Sequence, residues 1–238
     1  MVKVPIPKPS DPTLDAIDAM LVAESLRESK RDYLGASSIG EPCERKLWYS
    51  LNSEREAFKA DTLRRFIDGH RTEELIVSWF RKLPFIELKT HKENGEQYGF
   101  TDGKFKGHYD GMIKGILQAP KTWHIFEVKC TNENNFKKLK ALVEKNEKSA
   151  LAEWSPTYYA QAVVYMAAEG FTRHYLVCAT PGGRELTSVR TDENPKFAAY
   201  LSQKAHRIID AKEPPMRLSN HADWYQCKMC SYHKVCHG

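Results

Sequence analysis

The stretch Lys104-Phe-Lys-Gly-His-Tyr-Asp-Gly-Met-Ile113, followed by Thr122-Trp-His-Ile-Phe-Glu-Val-Lys-Cys130, decides how this chain is read. Side chains alternate along a strand, so the first segment sends Phe105, Tyr109 and Ile113 to one face and Lys106, His108, Asp110 and Met112 to the other. In the second, Phe126, Val128 and Cys130 share one side, and Glu127 and Lys129 share the opposite side. Residues 114–121 are short enough to close a hairpin. In its plainest register Asp110 and Glu127 become neighbours with Lys129 beside them, so two carboxylates and an ammonium converge.

Hydrolysis of a phosphodiester uses such a grouping. Hard carboxylate oxygens hold Mg2+ or Mn2+, and the ion neutralises charge that builds on the phosphate oxygens. Lys129 is then positioned to hold and polarise an attacking water. The same spacing also arises on an exposed strand that alternates salt-bridging charges, so the rest of the chain has to discriminate.

With 238 residues, 41% of them hydrophobic, the chain can bury the core of one large domain with helical additions. Lys and Arg number 36 against 31 Asp and Glu, and the net charge of +5 permits a polyanionic partner without demanding one. There is no apolar run of the roughly 18 residues that a membrane helix needs. The start lacks the charged-then-apolar order of a signal peptide. The expectation is a cytoplasmic protein with no membrane contact.

Residues 2–9 alternate with prolines and read as an extended arm. A helix capped by Ser10 or Asp11 follows, with Leu14, Ile17, Leu21, Val22 and Leu26 as the stripe that packs on the core, ending near Arg31. Ser37, Ser38 and Gly40 make a loop, and Pro42 opens a helix with Cys43 in its first turn and Arg45, Trp48 and Tyr49 beyond. Residues 61–82 have helical spacing and carry His70 and Glu74 four apart on one face. Gly69, just before the histidine, would allow close approach of a strand. Strands over 85–92 and 98–102 flank the turn at Asn94-Gly95.

Residues 131–154 are polar and lysine-rich, with Lys137 and Lys138 on either a solvated helix or a basic rim beside the site. A helix from Pro156 carries Gln161 and Tyr165 four apart, an amide and a phenol suited to a phosphate or to the lysine, or simply a buried hydrogen-bonded pair. Strands over 174–179 and 185–189 and a helix over 195–211 complete the body. Cys130 and Cys178 read as buried free thiols.

The tail holds Cys227, Cys230 and Cys236 within ten residues. In a reducing compartment that density reads as metal ligation rather than disulfides. The fourth ligand is either Cys43, giving a four-cysteine iron-sulfur site, or His233 or His237, giving zinc. Joining Cys43 to Cys227 closes nearly the whole chain into one loop and removes unfolded-state freedom.

Together these residues resemble the PD-(D/E)xK nucleases of the RecB type, in the branch that carries an iron-sulfur cluster and includes CRISPR-adaptation nucleases and phage or bacterial exonucleases. Cys43, Arg45, Trp48 and Tyr49 match that branch near its N-terminus, and Cys227, Cys230 and Cys236 match its C-terminal cysteines. Gly69-His70 matches its Gly-His helix motif, Asp110 its metal aspartate, Glu127 and Lys129 its E-x-K, and Gln161 and Tyr165 its Q-x3-Y helix. The family's proline before the aspartate is Tyr109 here, and residues 1–31 match nothing in it.

The resemblance implies that His70, Asp110, Glu127 and the Val128 carbonyl bind Mg2+ or Mn2+ and that Lys129 assists the water, with Gln161 and Tyr165 alongside. It also implies a [4Fe-4S] cluster on Cys43, Cys227, Cys230 and Cys236, with Zn2+ as the alternative. The implied substrate is DNA, single-stranded or with single-stranded ends, cut as an exonuclease from the 5′ end, with endonuclease action and a recombination, CRISPR or oligomeric partner left open. Arg45, Trp48, Tyr49, Tyr158, Lys137 and Lys138 are candidate DNA contacts.

The expected architecture is α/β: a restriction-endonuclease-like mixed sheet flanked by helices, with its ends clasped by the cysteine cluster. It divides into an arm and helix (1–34), a nuclease core (35–218) and a cysteine segment (219–238). The alternatives are a non-catalytic DNA-binding or adaptor protein that keeps the fold, and a zinc-ribbon interaction protein.

Overall fold

The 104–113 stretch is two strands rather than one. A computed structural model describes residues 11–53 and 57–238, and in it Phe105–His108 and Gly111–Lys114 belong to different sheets. The chain passes from one sheet to the other at Tyr109 and Asp110. The expected alternation survives the break: Phe105, Gly107, Tyr109, Gly111 and Ile113 are buried, and the residues between them are not. Periodicity reports only which way a side chain points, so it does not distinguish one strand from two in line.

The elements follow in order: α1 (Pro12–Arg27), β1 (Leu34–Gly35), α2 (Glu44–Asn52), α3 (Ala60–Phe80), β2 (Glu87–Lys89), β3 (Gly99–Asp102), β4 (Phe105–His108), β5 (Gly111–Lys114) and β6 (His124–Cys130). Then come α4 (Glu133–Trp154), α5 (Pro156–Glu169), β7 (Arg173–Ala179), β8 (Leu186–Asp192), α6 (Pro195–Asp210), α7 (Tyr225–Lys228) and α8 (His233–His237). The small sheet has the order β1-β4-β3 and the large one β2-β5-β6-β7-β8. Both mix parallel and antiparallel pairs. The strands expected around Asn94-Gly95 therefore diverge into different sheets, joined there by a single bridge between His91 and Gln97.

Helices cover both faces of the large sheet. Ile76 and Val77 of α3 pack on Phe126, Val128, Tyr175 and Val177. On the other face, Phe136, Leu139 and Leu151 of α4 meet Leu176, Cys178 and Val189. Helix α5 is hydrophobic nearly all round, as a central helix must be. Its Val163, Val164 and Tyr165 join α6 to Leu34, Phe105 and Tyr109 of the small-sheet side.

Asp11 caps α1 through its carboxylate, whereas Ser10 and the proline arm lie outside the described residues. The helix stops at Arg27, earlier than its pattern predicts. It lies on α3 through Asp18, Leu21, Val22 and Ser25, leaving Leu14, Ile17 and Leu26 exposed, so most of the stripe expected to pack on the core does not. Among the described residues no helix is long and apolar enough to cross a membrane.

Gly107 shows how tightly the two halves meet. A Cβ there would lie 2.5 Å from Cε1 of Tyr165 and 2.8 Å from Cβ of Ala36. Overpacking of this kind costs about 1–3 kcal/mol. Gly107→Ala is therefore expected to lower the melting temperature, read by calorimetry, and an unchanged value would show that α5 can move away freely.

Candidate active site

Glu127 lies in the middle of β6 and is buried. The hairpin register pairs Gly111 with Phe126, so Asp110 stands opposite Glu127 at the point where β5 begins. There Oδ2 of Asp110 accepts a 2.7 Å hydrogen bond from the Val128 amide. The aspartate thus replaces the strand backbone that turns away at Tyr109, and the broken ladder fixes its orientation. Lys129, two residues after Glu127, pairs with Oε1 of that carboxylate, and its ammonium also sits 5.3 Å from the ring centroid of Tyr158.

A relay from α5 holds the glutamate. The side-chain amide of Gln161 donates to Oε1 of Glu127 and to the Tyr165 hydroxyl, each at 3.1 Å. Tyr165 donates in turn to the His108 carbonyl at 2.7 Å. Gln161 and Tyr165 thus grip the carboxylate rather than the lysine, and they anchor it to the last residue of β4. Oε2 of Glu127 is buried and has no hydrogen-bond partner among the described residues.

Glu73 of α3 is the member that sequence reasoning missed. Its carboxyl is pushed up to about 7 by burial and by the charge of Asp110, against the pull of Lys129. Glu127 is pushed up to about 8 by burial and Asp110, and burial also raises Asp110. Burial works against the Lys129 ammonium, but Glu127 and Asp110 outweigh it and hold its pKa above the ordinary value. Three carboxylates therefore face one ammonium. The available signal was helical: Glu73 is one turn from His70, and the two approach to 4.0 Å, whereas Glu74 of the expected His70 pair faces solvent.

His70 stands at the rim, its side chain 80% exposed, near enough to Asp110 to favour the ionised aspartate. Among the described residues, no three His, Cys, Asp or Glu side chains converge closely enough to hold a metal ion as they stand. The reason at this centre is visible: His70 swings toward Glu73, and Glu127 is engaged by Lys129 and Gln161. A Cβ at Gly69 would meet nothing within 4 Å, so no strand makes the expected close approach there.

Cys43, the N-cap of α2, and Cys227, Cys230 and Cys236 line one cavity of about 280 Å³. His233 and His237 border it too. Donors point at the sulfurs: the Tyr232 amide lies 3.4 Å from Cys230 and the Arg45 guanidinium 3.9 Å from Cys236. Arg45, Trp48 and Tyr49, expected as DNA contacts, are engaged otherwise. Trp48 donates to the Ala211 carbonyl at 2.8 Å, Tyr49 is buried and stacked on Tyr232, and Arg45 lines the cavity. Tyr49 and Arg45 thus face the tail, while Trp48 is half-exposed and bonded through its ring nitrogen to the residue that follows α6. Lys137 and Lys138 remain exposed on α4.

No protein-family model matches the chain, and no curated protein matches it. Among solved structures the fold is similar to that of SSO0001, with a TM-score of 0.53 and 16% identity over 94% of this chain and 96% of that one. It is similar as well to the alkaline exonuclease LHK-Exo from Laribacter hongkongensis, with a TM-score of 0.51 and 15% identity over 80% of this chain and 90% of that one. The likeness is one of fold: mixed sheets flanked by helices, an architecture that an alkaline exonuclease also has.

Proposed function

We propose that this chain is a metal-dependent deoxyribonuclease, an exonuclease acting on single strands or single-stranded ends. The observation that carries the reading is the cluster at the junction of the two sheets, where buried Glu127 pairs with Lys129 and half-buried Asp110 is fixed by the Val128 amide, with Glu73 at its open side. Glu127 is buried and Asp110 and Glu73 are partly so, their carboxyls are pushed toward the protonated form by that burial and for want of positive charge beyond Lys129, and Glu127 keeps an oxygen with no hydrogen-bond partner among the described residues. Burying such charge is costly unless a cation balances it, and the oxygen-rich donor set suits Mg2+ or Mn2+. Asp110, Glu127 and the Val128 carbonyl would hold the ion, with Glu73 and His70 at its open side.

When bound, the ion would neutralise phosphate charge and acidify a water. Gln161 and Tyr165 keep Glu127 from turning, and the Val128 amide does the same for Asp110. Lys129 stays protonated between them and offers hydrogen bonds to the attacking water or to a phosphate oxygen. The fold likeness to an alkaline exonuclease supports the reading without naming the substrate.

The cysteine cavity supports a structural [4Fe-4S] cluster on Cys43, Cys227, Cys230 and Cys236. Its volume exceeds what one ion fills, and sulfur-directed donors are the hydrogen bonds that tune such clusters. Zinc is the competing occupant, with His233 or His237 as the fourth ligand.

End-labelled DNA tests the activity. Wild type with Mn2+ or Mg2+ is expected to shorten single strands, and Asp110→Ala or Lys129→Ala to lose about 10²–10³-fold in kcat or more while melting as folded proteins. Binding without cleavage by wild type would instead favour an adaptor.

A second expectation concerns acidity. Glu127 near 8 and Glu73 near 7 stand above their ordinary 4.5, so the folded chain binds more protons than the unfolded one between those values, and stability falls as pH rises through them. Buried His174, pushed down to about 3 by burial and Lys129, acts oppositely below 6.5. The melting temperature of metal-free protein should therefore drop from about pH 6.5 to 8.5. Glu127→Gln should flatten that slope, and Mn2+ should raise the melting temperature most at the alkaline end. Parallel slopes for the two proteins would refute the protonation argument.

Colour tests the cluster. Anaerobically purified protein should be brown and contain iron and sulfide, whereas colourless protein with stoichiometric zinc would reverse the assignment.

A further inference from the structure

A second cavity opens at the other end of the large sheet, about 640 Å³ in volume and lined by Lys89, Met112, Lys121, Trp123, Phe171 and Thr172 among others. Its position follows from register. Lys89 pairs with Met112, and Met112 with Ile125, so these three side chains leave the sheet on one face. Alternation adds Asp110, just before β5, and Lys114 at its end, with Glu127 and Lys129 on β6, to that face. Trp123, just before β6, joins them, because the ammonium groups of Lys89 and Lys114 lie 5.1 and 5.8 Å from its ring centroid. The half-buried indole and the carboxylate cluster thus lie on the same side of the sheet. Four strand residues, roughly 13 Å, separate Asp110 from Lys114.

We propose that this cavity is a nucleotide subsite, in which Trp123 stacks on a base of the nucleic-acid strand whose backbone reaches Asp110 and Glu127, and Lys89, Lys114 and Lys121 meet the adjoining phosphates. The inference rests on the nuclease reading and deepens it. An indole face accepts any base, and the three lysines supply the sequence-independent phosphate contacts. Ile125 on this face is buried under α5, whereas Lys89 is exposed on the edge strand β2 beside Met112, so the basic groups follow the open edge of the sheet between the reacting end and the tryptophan. Besides the carboxylate cluster, this face carries Glu87, 3.5 Å from Lys89, with both side chains about half exposed. Such a pair is weak in water, and a phosphate can take the lysine over at little cost. Phe171 and Thr172 line the same cavity. A strand held there would have its end presented to the carboxylates a few nucleotides away, which gives cleavage a dependence on length.

The test is kcat/KM of the full chain with Mn2+ on end-labelled oligonucleotides, from the shortest strand it cleaves to about a dozen nucleotides. Wild type should gain with length. Trp123→Ala should lose about 10-fold on long strands and nothing on the shortest, Trp123→Phe should retain most of the gain, and Lys121→Ala, on the exposed loop, should weaken the salt dependence. An abasic nucleotide stepped along the strand should hurt wild type at one position and Trp123→Ala at none. If Trp123→Ala matches wild type at every length, or loses equally on the shortest strand, the subsite is wrong while the nuclease reading stands. If folded wild type cleaves no strand of any length, the nuclease reading fails and takes the subsite with it.

Discussion

Asp110 accepting the Val128 amide hydrogen is the contact on which the arrangement of the molecule turns. A backbone amide at that depth needs a partner, and the neighbouring strand has already turned toward the small sheet. The aspartate supplies the acceptor. It therefore does two things with one oxygen: it closes the ladder at the sheet junction and it fixes its own carboxylate beside Glu127. Any movement that reopened the junction would leave both a backbone group and a carboxylate unsatisfied.

The small sheet has a role of the same kind. The Tyr165 hydroxyl reaches the His108 carbonyl, and from there the bond runs through Gln161 to Glu127. The end of β4, the middle of α5 and the middle of β6 are thereby held in one chain of hydrogen bonds. Tyr109, fully buried at the turn, stacks on Tyr98 and packs near Tyr165, so the break is filled by aromatic side chains rather than left as a gap. Without a cation the cluster is accommodated by the Lys129 ammonium and by carboxyls that hold their protons well above the ordinary carboxylate range.

Far from that junction, the tail and α2 are tied by a different mixture. Tyr49 stacks on Tyr232, Trp48 donates to the Ala211 carbonyl, and Lys204, its ammonium disfavoured by burial, donates to the carbonyls of Ile39 and Glu41. These contacts fix the loop that ends at Cys43, at the cavity that the other three cysteines line.

Much of this was legible in the sequence because it is local. Alternation assigned the faces of Asp110, Glu127 and Lys129, the turn length gave the hairpin, and the i, i+4 spacing gave Gln161 and Tyr165 a common side. Cysteine density singled out the tail. What the tertiary structure decided is whatever depends on chain segments meeting. The 104–113 pattern keeps its period across a change of sheet, so the division of one expected sheet into two left no trace in it. The acidic partner of His70 was one position away from the one expected, because Glu73 and Glu74 both satisfy helical spacing to His70 and only the fold shows that Glu73 faces Asp110 while Glu74 faces solvent. Tyr49 could be read as a packing residue or a DNA contact, and only the fold shows it stacked on Tyr232 of the tail; Trp123 was one residue of a strand until register set lysines from two other positions around it. Periodicity fixes a side chain's direction within its own element; only packing fixes what it faces.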